Sequence, residues 1–303
     1  MTRILFPSSP LTRKEPDPDF EAEVAAARSC GFDVELLDSE VLFSGEACSG
    51  AVRGVEEGGG QEVVLYRGWM LRPARYAELC AALSERGLTL INSPEQYRRC
   101  HYLPESYDVI AEHTVKTTWL KCGLDVDMAE VRKAVEPFED RPIVIKDFVK
   151  SQKHYWAEAC FVPSAEDTEA LERVVKRFLE LQDESLNEGL VFREYVELVP
   201  LAEHSKSGMP LSLEYRTFYV DKKPVYTARY WEEGEYPQAR EEETFAEVAA
   251  RVDSRFFTMD VARKKDGDWM IVELGDGQVS GLPPSEEPEA FYRALSGEVA
   301  ERE

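Results

Sequence analysis

The chain of 303 residues is 43% hydrophobic and contains 13 Tyr, 14 Phe and 5 Trp, which is enough apolar material for packed domains and excludes a disordered chain. Its 59 acidic residues outnumber its 36 basic ones, and the formal net charge of −23 argues against a general nucleic-acid surface because phosphates would be repelled. Six scattered cysteines without a CxxC pair, and no apolar run long enough to span a bilayer, favour a cytoplasmic protein with free thiols and no membrane segment.

The first hundred residues alternate between strand and helix signals. Short apolar runs predict strands at residues 3–6, 33–37, 63–67 and 88–92. Helices are predicted between them at residues 19–30 and 72–86, and another begins at the cap sequence Ser93-Pro94-Glu95. Such alternation favours a mainly parallel, doubly wound sheet. The first strand is followed by Pro7-Ser8-Ser9-Pro10 where a dinucleotide site would need GxGxxG, so that kind of site has little support.

From about residue 101 the pattern changes to an α+β arrangement with antiparallel hairpins. Helices are predicted at residues 114–122, 128–135, 166–182 and 243–252, and strands at residues 142–146, 155–162 and 190–196. One hairpin is predicted for strands 213–220 and 225–231, which flank the turn sequence Asp221-Lys222-Lys223-Pro224. A second hairpin is predicted for strands 256–263 and 269–273, joined by the polar residues 264–268.

Two strand ends in this half carry side chains that suit a nucleotide. Lys146 ends the apolar strand 142–146, where its flexible ammonium can reach an α- or β-phosphate. The alternative is an ordinary strand-end lysine exposed to solvent. The strand 190–196 runs into a turn, and backbone at such a hinge offers an adenine a donor and an acceptor side by side. Glu194 can accept from the exocyclic amine there, unless it is a surface glutamate on an edge strand.

The first hairpin carries a second pair of candidates. Strand alternation places Glu214 and Arg216 on one face, where a carboxylate suits ribose hydroxyls and a guanidinium suits a phosphate or an acyl phosphate. The alternative is a cross-strand ion pair. We expect Arg229 on the partner strand to lie near Arg216, and two arginines that face the same way repel each other unless an anion lies between them.

The second hairpin carries three acidic residues in an order that suits a metal ion. Asp260 lies on the first strand, and Glu273 and Asp276 lie at the end of the second. Carboxylate oxygens that converge from neighbouring strands are the ligands that Mg²⁺ bridging ATP phosphates requires. Isolated acids mean little in so acidic a protein, but the hairpin context predicts a magnesium site here.

Together these residues resemble the ATP-grasp superfamily over roughly residues 100–285, and within it the clade named for one conserved arginine and two lysines. The strand-Lys-Asp stretch at Lys146, the Arg-Glu-Tyr hinge at Glu194 and the Glu-Tyr-Arg hairpin at Glu214 carry the resemblance. It implies an α/β and α+β fold with a Rossmann-like lead-in domain at residues 1–100. A two-lobed ATP-grasp domain would follow at residues 101–303, with lobes of roughly 101–195 and 196–303.

The resemblance implies roles for lysines around the phosphates. Lys146 would be the phosphate lysine, and Lys116, on the predicted helix before it, competes with Lys150 for the role of the other ATP lysine. Relatives often have a glycine-rich flap over the phosphates, but residues 148–154 contain no glycine. Side-chain donors from Lys150, Lys153 and His154 can cover the phosphates instead, and the alternative is an exposed basic loop.

The resemblance also implies the remaining ATP and magnesium contacts. Glu194 and the backbone of Val196 would hold adenine, and Glu214 would hold the ribose. Asp260 and Glu273 would bind magnesium. The superfamily usually has Glu-x-Asn at the last metal position, so we expect Asp276 to substitute for that asparagine with a shift of one residue. Because of this difference, the number of bound magnesium ions, one or two, stays open.

The activity implied is an ATP-dependent carboxylate–amine ligase. A substrate carboxylate attacks the γ-phosphate to give an acyl phosphate and ADP, and an amine then displaces phosphate. Arg216 and Arg229 are our candidates for holding the acyl phosphate, and the substrates would be small molecules or peptides. Two alternatives stay open, a kinase-like phosphotransferase and a non-catalytic nucleotide-binding regulator. The pattern predicts neither nucleic acid nor membrane as a partner and makes no prediction of oligomeric state.

Overall fold

The computed structural model describes residues 2–205, 209–237, 245–283 and 286–300, and the strands in these ranges form three four-stranded sheets and one two-stranded sheet. The strands are β1 (Arg3–Pro7), β2 (Asp33–Leu37), β3 (Glu62–Tyr66), β4 (Leu88–Leu90), β5 (Thr117–Lys121), β6 (Ile143–Asp147), β7 (Phe161–Val162), β8 (Gly189–Glu194), β9 (Pro200–Glu203), β10 (Pro210–Ser212), β11 (Glu214–Val220), β12 (Lys223–Arg229), β13 (Phe256–Arg263) and β14 (Trp269–Asp276). The α-helices are α1 (Glu21–Ser29), α2 (Ser39–Ser44), α3 (Cys48–Ala51), α4 (Pro73–Ser84), α5 (Pro94–His101), α6 (Leu103–Ile110), α7 (Met128–Val135), α8 (Thr168–Gln182), α9 (Ala246–Arg251) and α10 (Pro288–Ala300).

The first sheet has the order β2-β1-β3-β4, and all of its pairs are parallel. The central strand β1 is buried along its whole length, as expected for a strand that is covered on both faces. The predicted cap of α5 is confirmed as a capping box. The Ser93 hydroxyl accepts from the Gln96 amide, and the Gln96 side chain accepts from the Ser93 amide. The predicted parallel, doubly wound arrangement is therefore confirmed.

The remaining four-stranded sheets are antiparallel, with the orders β5-β8-β6-β7 and β12-β11-β13-β14. Both predicted hairpins are confirmed. The β11–β12 turn places Asp221 and Lys222 at φ values of 44° and 73°, which match the two positive φ angles of a two-residue hairpin turn. The β13–β14 hairpin places Asp260 directly opposite Glu273, so two of the predicted acids lie side by side.

Two predicted elements are wrong. Residues 114–122 do not form a helix, because Thr117–Lys121 pair with β8 as the edge strand β5. Residues 155–162 do not form a continuous strand. A 3₁₀ turn ends at Tyr155 and a π-helix follows over Trp156–Cys160, which leaves only β7 extended. This irregular segment packs against α8 and buries Ala159 and Cys160, and that tertiary contact outweighs the local strand preference.

The first sheet and the last lobe share a hydrophobic core. Ile4 and Phe6 of β1 pack in one cluster with Phe218 of β11 and with Phe291 of α10, and α10 itself lies against α1. The buried Arg67 strengthens this contact. Its guanidinium donates to the Glu23 carboxylate at 2.8 Å and to the carbonyls of Gly277 and Ser280 at 2.7 and 2.8 Å. The lead-in sheet is therefore packed directly against the end of β14.

The helix predicted at residues 243–252 lies partly outside the described residues, namely at positions 243 and 244, and the described part contains α9. Within the described ranges, every helix is too short or too polar to cross a bilayer.

Candidate active site

A cavity of about 470 Å³, called the large cavity below, lies between the sheet of β5–β8 and the sheet of β11–β14. Its charged lining includes Lys146, Lys150, Lys153, Glu214 and Glu273. Its apolar lining includes Val144, Trp156, Met209, Leu211 and Met270. A cavity of this size with apolar walls and a few charged groups is typical of a small-molecule site.

Lys146 and Glu273 join the two walls of the large cavity. Lys146 is buried at the end of β6, and its Nζ lies 2.5 Å from Oε2 of Glu273 on β14. Burial opposes ionisation of Glu273, but the ammonium groups of Lys146 and Lys153 outweigh burial and hold the pKa of this carboxyl below its ordinary value. An ion pair therefore spans the two sheets at this site.

Arg216 and Asp260 form a second ion pair nearby. The Arg216 Nε lies 2.8 Å from Oδ1 and its Nη2 lies 2.7 Å from Oδ2 of Asp260, in a bidentate arrangement. The Arg216 guanidinium carbon also lies 4.9 Å from the centre of the Tyr230 ring. Asp260 faces Arg216 on one neighbouring strand and Glu273 on the other, so these three side chains lie in one row across β11, β13 and β14, and Lys146 of β6 pairs with the last of them.

A second cavity of about 160 Å³, called the small cavity below, shares Lys146 and Glu273 with the large cavity. It is also lined by Arg216, Asp260 and His101. His101 is 9% exposed, and its Nε2 is buried without a hydrogen-bond partner among the described residues. Burial lowers the pKa of His101 to about 3, so its ring is neutral. The two cavities therefore meet at the Lys146–Glu273 pair.

Lys153 crosses the large cavity from the segment after β6. Its Nζ donates to the Tyr230 hydroxyl at 2.8 Å and lies 4.8 and 5.0 Å from the ring centres of Tyr230 and Trp231. Burial alone would lower the pKa of Lys153, but attraction to Tyr230, Glu214 and Glu273 raises it. Burial raises the pKa of Glu214 to about 8, although the Lys153 ammonium opposes this shift. Lys153 thus compensates part of the acidic charge in the cavity.

The loop that carries Lys150 is held by the buried carboxylate of Asp147. Its Oδ1 accepts from the backbone amides of Val149, at 2.7 Å, and Lys150. Its Oδ2 accepts from the side chain of Gln182 and from the backbone amide and side chain of Asn187, at 3.1 and 2.8 Å. One carboxylate therefore fixes a glycine-free turn at the cavity wall, as in an Asx turn.

The structure brings most of the predicted nucleotide contacts to the large cavity, where Lys146, Lys150, Glu194, Val196 and Glu214 all line the wall. The Glu194 carboxylate also accepts from Arg141 at 3.2 Å.

Lys116 lies elsewhere. It lines a neighbouring cavity of about 530 Å³, and its Nζ donates to the Pro137 carbonyl at 2.5 Å. Lys116 directly precedes the strand β5 rather than lying on a helix, and it is not among the residues that line the large cavity.

The expectation that Arg229 lies beside Arg216 is wrong. Arg229 pairs with Tyr215, whereas Arg216 pairs with Ala228, so the two arginines project from opposite faces of the sheet. Arg229 is exposed, and its guanidinium carbon lies 5.6 Å from the centre of the Tyr236 ring. The repulsion between arginines that was expected to require an anion is therefore absent at this hairpin.

Asp276 is not brought to either cavity. Its Oδ2 accepts from Asn92 at 2.6 Å, and its Oδ1 accepts from the backbone and side chain of Gln278 at 2.9 and 3.2 Å. Burial raises its pKa to about 7, although these hydrogen bonds oppose the shift. The carboxylate is saturated by donors from the β4–α5 loop and from its own turn, so we do not retain Asp276 as a metal ligand.

Sequence reasoning missed Arg193 as a cavity residue. It is 8% exposed on β8, lines the large cavity and donates from Nη2 to the Thr114 hydroxyl at 2.8 Å, while its Nε is buried without a partner among the described residues. Alternation along β8 was the available signal. Leu190 and Phe192 pack in the core of the first lobe, so Arg193 between Phe192 and Glu194 must face the other way.

Asp260 and Glu273 are the carboxylates that fit a magnesium ion. No cluster of three or more His, Cys, Asp or Glu side chains within the described ranges could hold a metal by itself. Magnesium does not need such a cluster, because it is usually held by one or two carboxylates together with substrate phosphates and water. Two acids in direct register beside a cavity lysine match that requirement.

Comparison with known proteins agrees with this geometry. Residues 133–295 match the ATP-grasp domain family that is the third family of the clade named for one arginine and two lysines. No curated protein sequence matches the chain significantly.

The fold is similar to that of several solved proteins along nearly the whole chain. The structure of D-cycloserine synthetase DcsG has a TM-score of 0.57 and 18% identity, and the match covers 98% of this chain and 99% of that chain. The ATP-grasp ligase PsnB, complexed with a phosphomimetic precursor variant, Mg and ADP, has a TM-score of 0.56 and 16% identity, with 99% and 97% covered. An ATP-grasp RimK domain protein from Sphaerobacter thermophilus DSM 20745 has a TM-score of 0.56 and 12% identity, with 99% and 100% covered.

Proposed function

Because the chain belongs to the ATP-grasp family, in the clade named for one arginine and two lysines, we propose that it is an ATP-dependent ligase that joins a carboxylate to an amine through an acyl phosphate. The observation that carries this proposal is the position of the Lys146–Glu273 pair, which lines both cavities. A nucleotide in the large cavity and a carboxylate in the small cavity would meet at this pair, as phosphoryl transfer requires.

The large cavity supports one placement of ATP. Its apolar walls at Met209, Leu211 and Met270 suit the adenine, and the hinge at Glu194 and Val196 provides the hydrogen-bonding groups that distinguish its edge. Glu214 would accept from the ribose hydroxyls. Lys146 and Lys150 would contact the phosphates, and Lys116 would not, because it lies in the neighbouring cavity.

Asp260 and Glu273 would hold magnesium. When bound, the ion would neutralise phosphate charge and thereby favour attack on the γ-phosphate. The similarly folded ligase PsnB has been solved with Mg and ADP, which supports magnesium as the ion that accompanies the nucleotide. Binding would draw the two carboxylates away from Arg216 and Lys146, which leaves both cations available for anionic groups of the substrates.

The chemistry needs positioning and charge stabilisation rather than a protein nucleophile. A carboxylate oxygen forms a bond to the γ-phosphorus, the bond to the bridging oxygen breaks, and ADP leaves with that electron pair. The amine then attacks the acyl carbon, phosphate leaves, and the amine gives up a proton. Lys146 and Arg216 would stabilise the oxygens that gain charge in both steps.

Calorimetry with the non-hydrolysable analogue AMPPNP tests the nucleotide site. We expect binding that requires magnesium, and we expect Glu273→Ala to weaken it by at least about tenfold, since one lost charge-assisted contact is worth over 1.4 kcal/mol. Glu172→Ala is a matched control, because Glu172 is an exposed acid on α8 that pairs with Lys176. Absence of nucleotide binding by folded protein would refute the proposal.

A screen of carboxylates and amines for ADP release then tests the reaction. A ligase releases ADP and phosphate rapidly when both an acid and an amine are present. With the acid alone it releases them slowly or not at all. Transfer of the phosphate to a stable product without an amine would identify a phosphotransferase. Tight binding of magnesium and ATP without turnover of any pair would favour a nucleotide-binding regulator.

A further inference from the structure

We infer that Arg67, the buried residue directly after β3, is a positioning residue for Arg216 and acts on it through the loop of residues 277–281. Arg67 lines neither the large nor the small cavity, so a ligand in either cavity would not touch it. The role rests on the proposed function, because Arg216 is the cation proposed to stabilise the reacting oxygens. It adds a residue outside both cavities on which the orientation of that cation depends.

One nitrogen of Arg67 holds the loop that follows β14. Its Nη1 donates to the carbonyls of Gly277 and Ser280 at 2.7 and 2.8 Å, so a single group fixes the distance between these carbonyls. The backbone amide of Gly68, the next residue, donates to the Gln278 carbonyl at 3.3 Å. The segment after β3 therefore binds three of the first four carbonyls of the loop.

The last residue of the loop contacts Arg216. The Arg216 Nη1 donates to the Gly281 carbonyl at 3.1 Å, while Nε and Nη2 donate to Asp260. Because Asp260 is also a proposed magnesium ligand, the Gly281 carbonyl and the Tyr230 ring would orient the guanidinium when that carboxylate is engaged. Arg216 and Gly281 both line the small cavity. A displacement of the loop would therefore turn the guanidinium within that cavity.

The opposite side of the Arg67 guanidinium is anchored in the core. Its Nε and Nη2 donate to Oε2 of Glu23 on α1 at 3.2 and 2.8 Å, and the Tyr292 hydroxyl of α10 donates to the same oxygen at 2.6 Å. Both Arg67 and Glu23 are buried, so a movement of either would leave an unpaired charge out of water. The contacts of Arg67 thus divide into an ion pair with Glu23 and two bonds to the loop.

Single substitutions separate these two sets of contacts. In Arg67→Lys the ammonium can pair with Glu23, but it lies one bond short of the position of Nη1, so the bonds to the loop carbonyls are lost. Glu23→Gln and Tyr292→Phe are the matched controls, because they weaken the buried network and keep both loop bonds. If Arg67→Lys does not fold, the double variant Arg67→Met/Glu23→Gln replaces it, since neutral groups in place of a buried ion pair are often tolerated.

NMR of the full chain labelled with ¹⁵N-arginine reports on Arg216 directly. Its Nε–H signal is identified by its loss in Arg216→Lys. We expect Arg67→Lys to shift or broaden this signal, both in the absence and in the presence of magnesium–AMPPNP. Glu23→Gln and Tyr292→Phe should leave the signal at its wild-type position, even where urea unfolding shows that they lower stability.

Calorimetry with magnesium–AMPPNP and magnesium–ADP measures the consequence at the site. The ratio of the two Kd values isolates the γ-phosphate, which Arg216 is proposed to face. We expect Arg67→Lys and Arg216→Lys each to lower the preference for AMPPNP by about two- to thirtyfold, the range for residues that modulate a site through a network. The combined variant should lower the preference little further, because both changes act on one group.

The outcomes separate this role from the proposed function. If magnesium–AMPPNP does not bind the wild type, the proposed function fails, and the Arg216 signal recorded without nucleotide still tests the positioning by Arg67. An Arg216 signal that moves as far in Glu23→Gln as in Arg67→Lys would show that Arg67 only stabilises the core. A preference for AMPPNP that does not depend on Arg67, or strict additivity of Arg67→Lys and Arg216→Lys, also overturns the positioning role.

Discussion

The guanidinium of Arg216 and the carboxylate of Asp260 form a bidentate pair across β11 and β13, with donor–acceptor distances of 2.8 and 2.7 Å. Asp260 is 2% exposed at its side chain and Arg216 is 16% exposed, so the pair is largely shielded from water. On the next strand, β14, Glu273 pairs with Lys146, which comes from β6 of the facing sheet. Two proposed metal ligands therefore neutralise two proposed phosphate- and substrate-binding cations.

We predict that Asp260→Ala destabilises the unliganded protein. The change leaves the Arg216 guanidinium without its carboxylate, and removal of one partner of a buried pair costs roughly 3 kcal/mol. Urea unfolding followed by circular dichroism measures this loss. Glu172→Ala is the control, because its pair with Lys176 is exposed to solvent and screened by water. A loss as small as that of the control would show that the Arg216–Asp260 pair does not stabilise the fold.

The Asn92–Asp276 contact should couple the β4–α5 loop to the end of β14. The Asn92 amide nitrogen donates to Asp276 at 2.6 Å and to the Phe256 carbonyl at 2.7 Å, and its oxygen accepts from the backbone amides of Arg255 and Phe256. We expect Asn92→Ala and Asp276→Ala each to destabilise the protein and to be non-additive by about 1 kcal/mol, as contacting residues in one network are. A double-mutant cycle by urea unfolding measures the coupling. In a control cycle of Asn92 with Glu172, the changes in the free energy of unfolding should add. The same strict additivity for Asn92 and Asp276 would contradict the predicted coupling.

The raised pKa of Glu214 predicts a pH dependence of stability. Its pKa is about 8 in the folded protein, against an ordinary value of 4.5. Between these values the folded state binds more protons than the unfolded state, so the free energy of unfolding falls as pH rises from about 5 to 8. Urea unfolding at several pH values measures this dependence. In Glu214→Gln the free energy of unfolding should fall less steeply with pH, and the raised pKa of Asp276 accounts for part of the fall that remains. An unchanged slope would mean that Glu214 ionises normally.

Local patterns were sufficient to predict most of the strands that bear the site, but not β9 and β10, which also contribute to the wall of the large cavity. The apolar pattern predicted β2 and β13 with the bounds that the structure shows. The predicted strands also carry Lys146, Glu214 and Glu273, which line one cavity. These signals are local, because strand alternation and turn residues depend on neighbours within a few positions.

Contacts between strands and loops that are distant in the sequence could not be predicted from local patterns. Arg229 faces away from Arg216 because pairing places it opposite Tyr215, and a shift of one residue in register reverses the face of every side chain on a strand. Asp276 lies outside the site because it bonds Asn92, which lies in the loop between β4 and α5 and is 184 residues away in the sequence. The strand β5 was mistaken for a helix because its conformation depends on pairing with β8.

Asp147 should act as a positioning residue for the proposed phosphate-binding loop. Its carboxylate accepts from the Val149 and Lys150 amides and from Gln182 and Asn187, so Asp147→Ala leaves these buried donors unsatisfied and frees the loop. We expect Asp147→Ala to weaken magnesium–AMPPNP about tenfold or more in calorimetry, because a loop that must be ordered on binding reduces affinity. Lys150→Met in the Asp147→Ala background should add little, since the lysine is no longer positioned. Asp127→Ala is the matched control, because Asp127 caps α7 through a similar bond to the Ala129 amide and lies outside both cavities. Equal nucleotide affinity in the two alanine variants, with both folded, would show that the Asp147 carboxylate stabilises the lobe without positioning the loop.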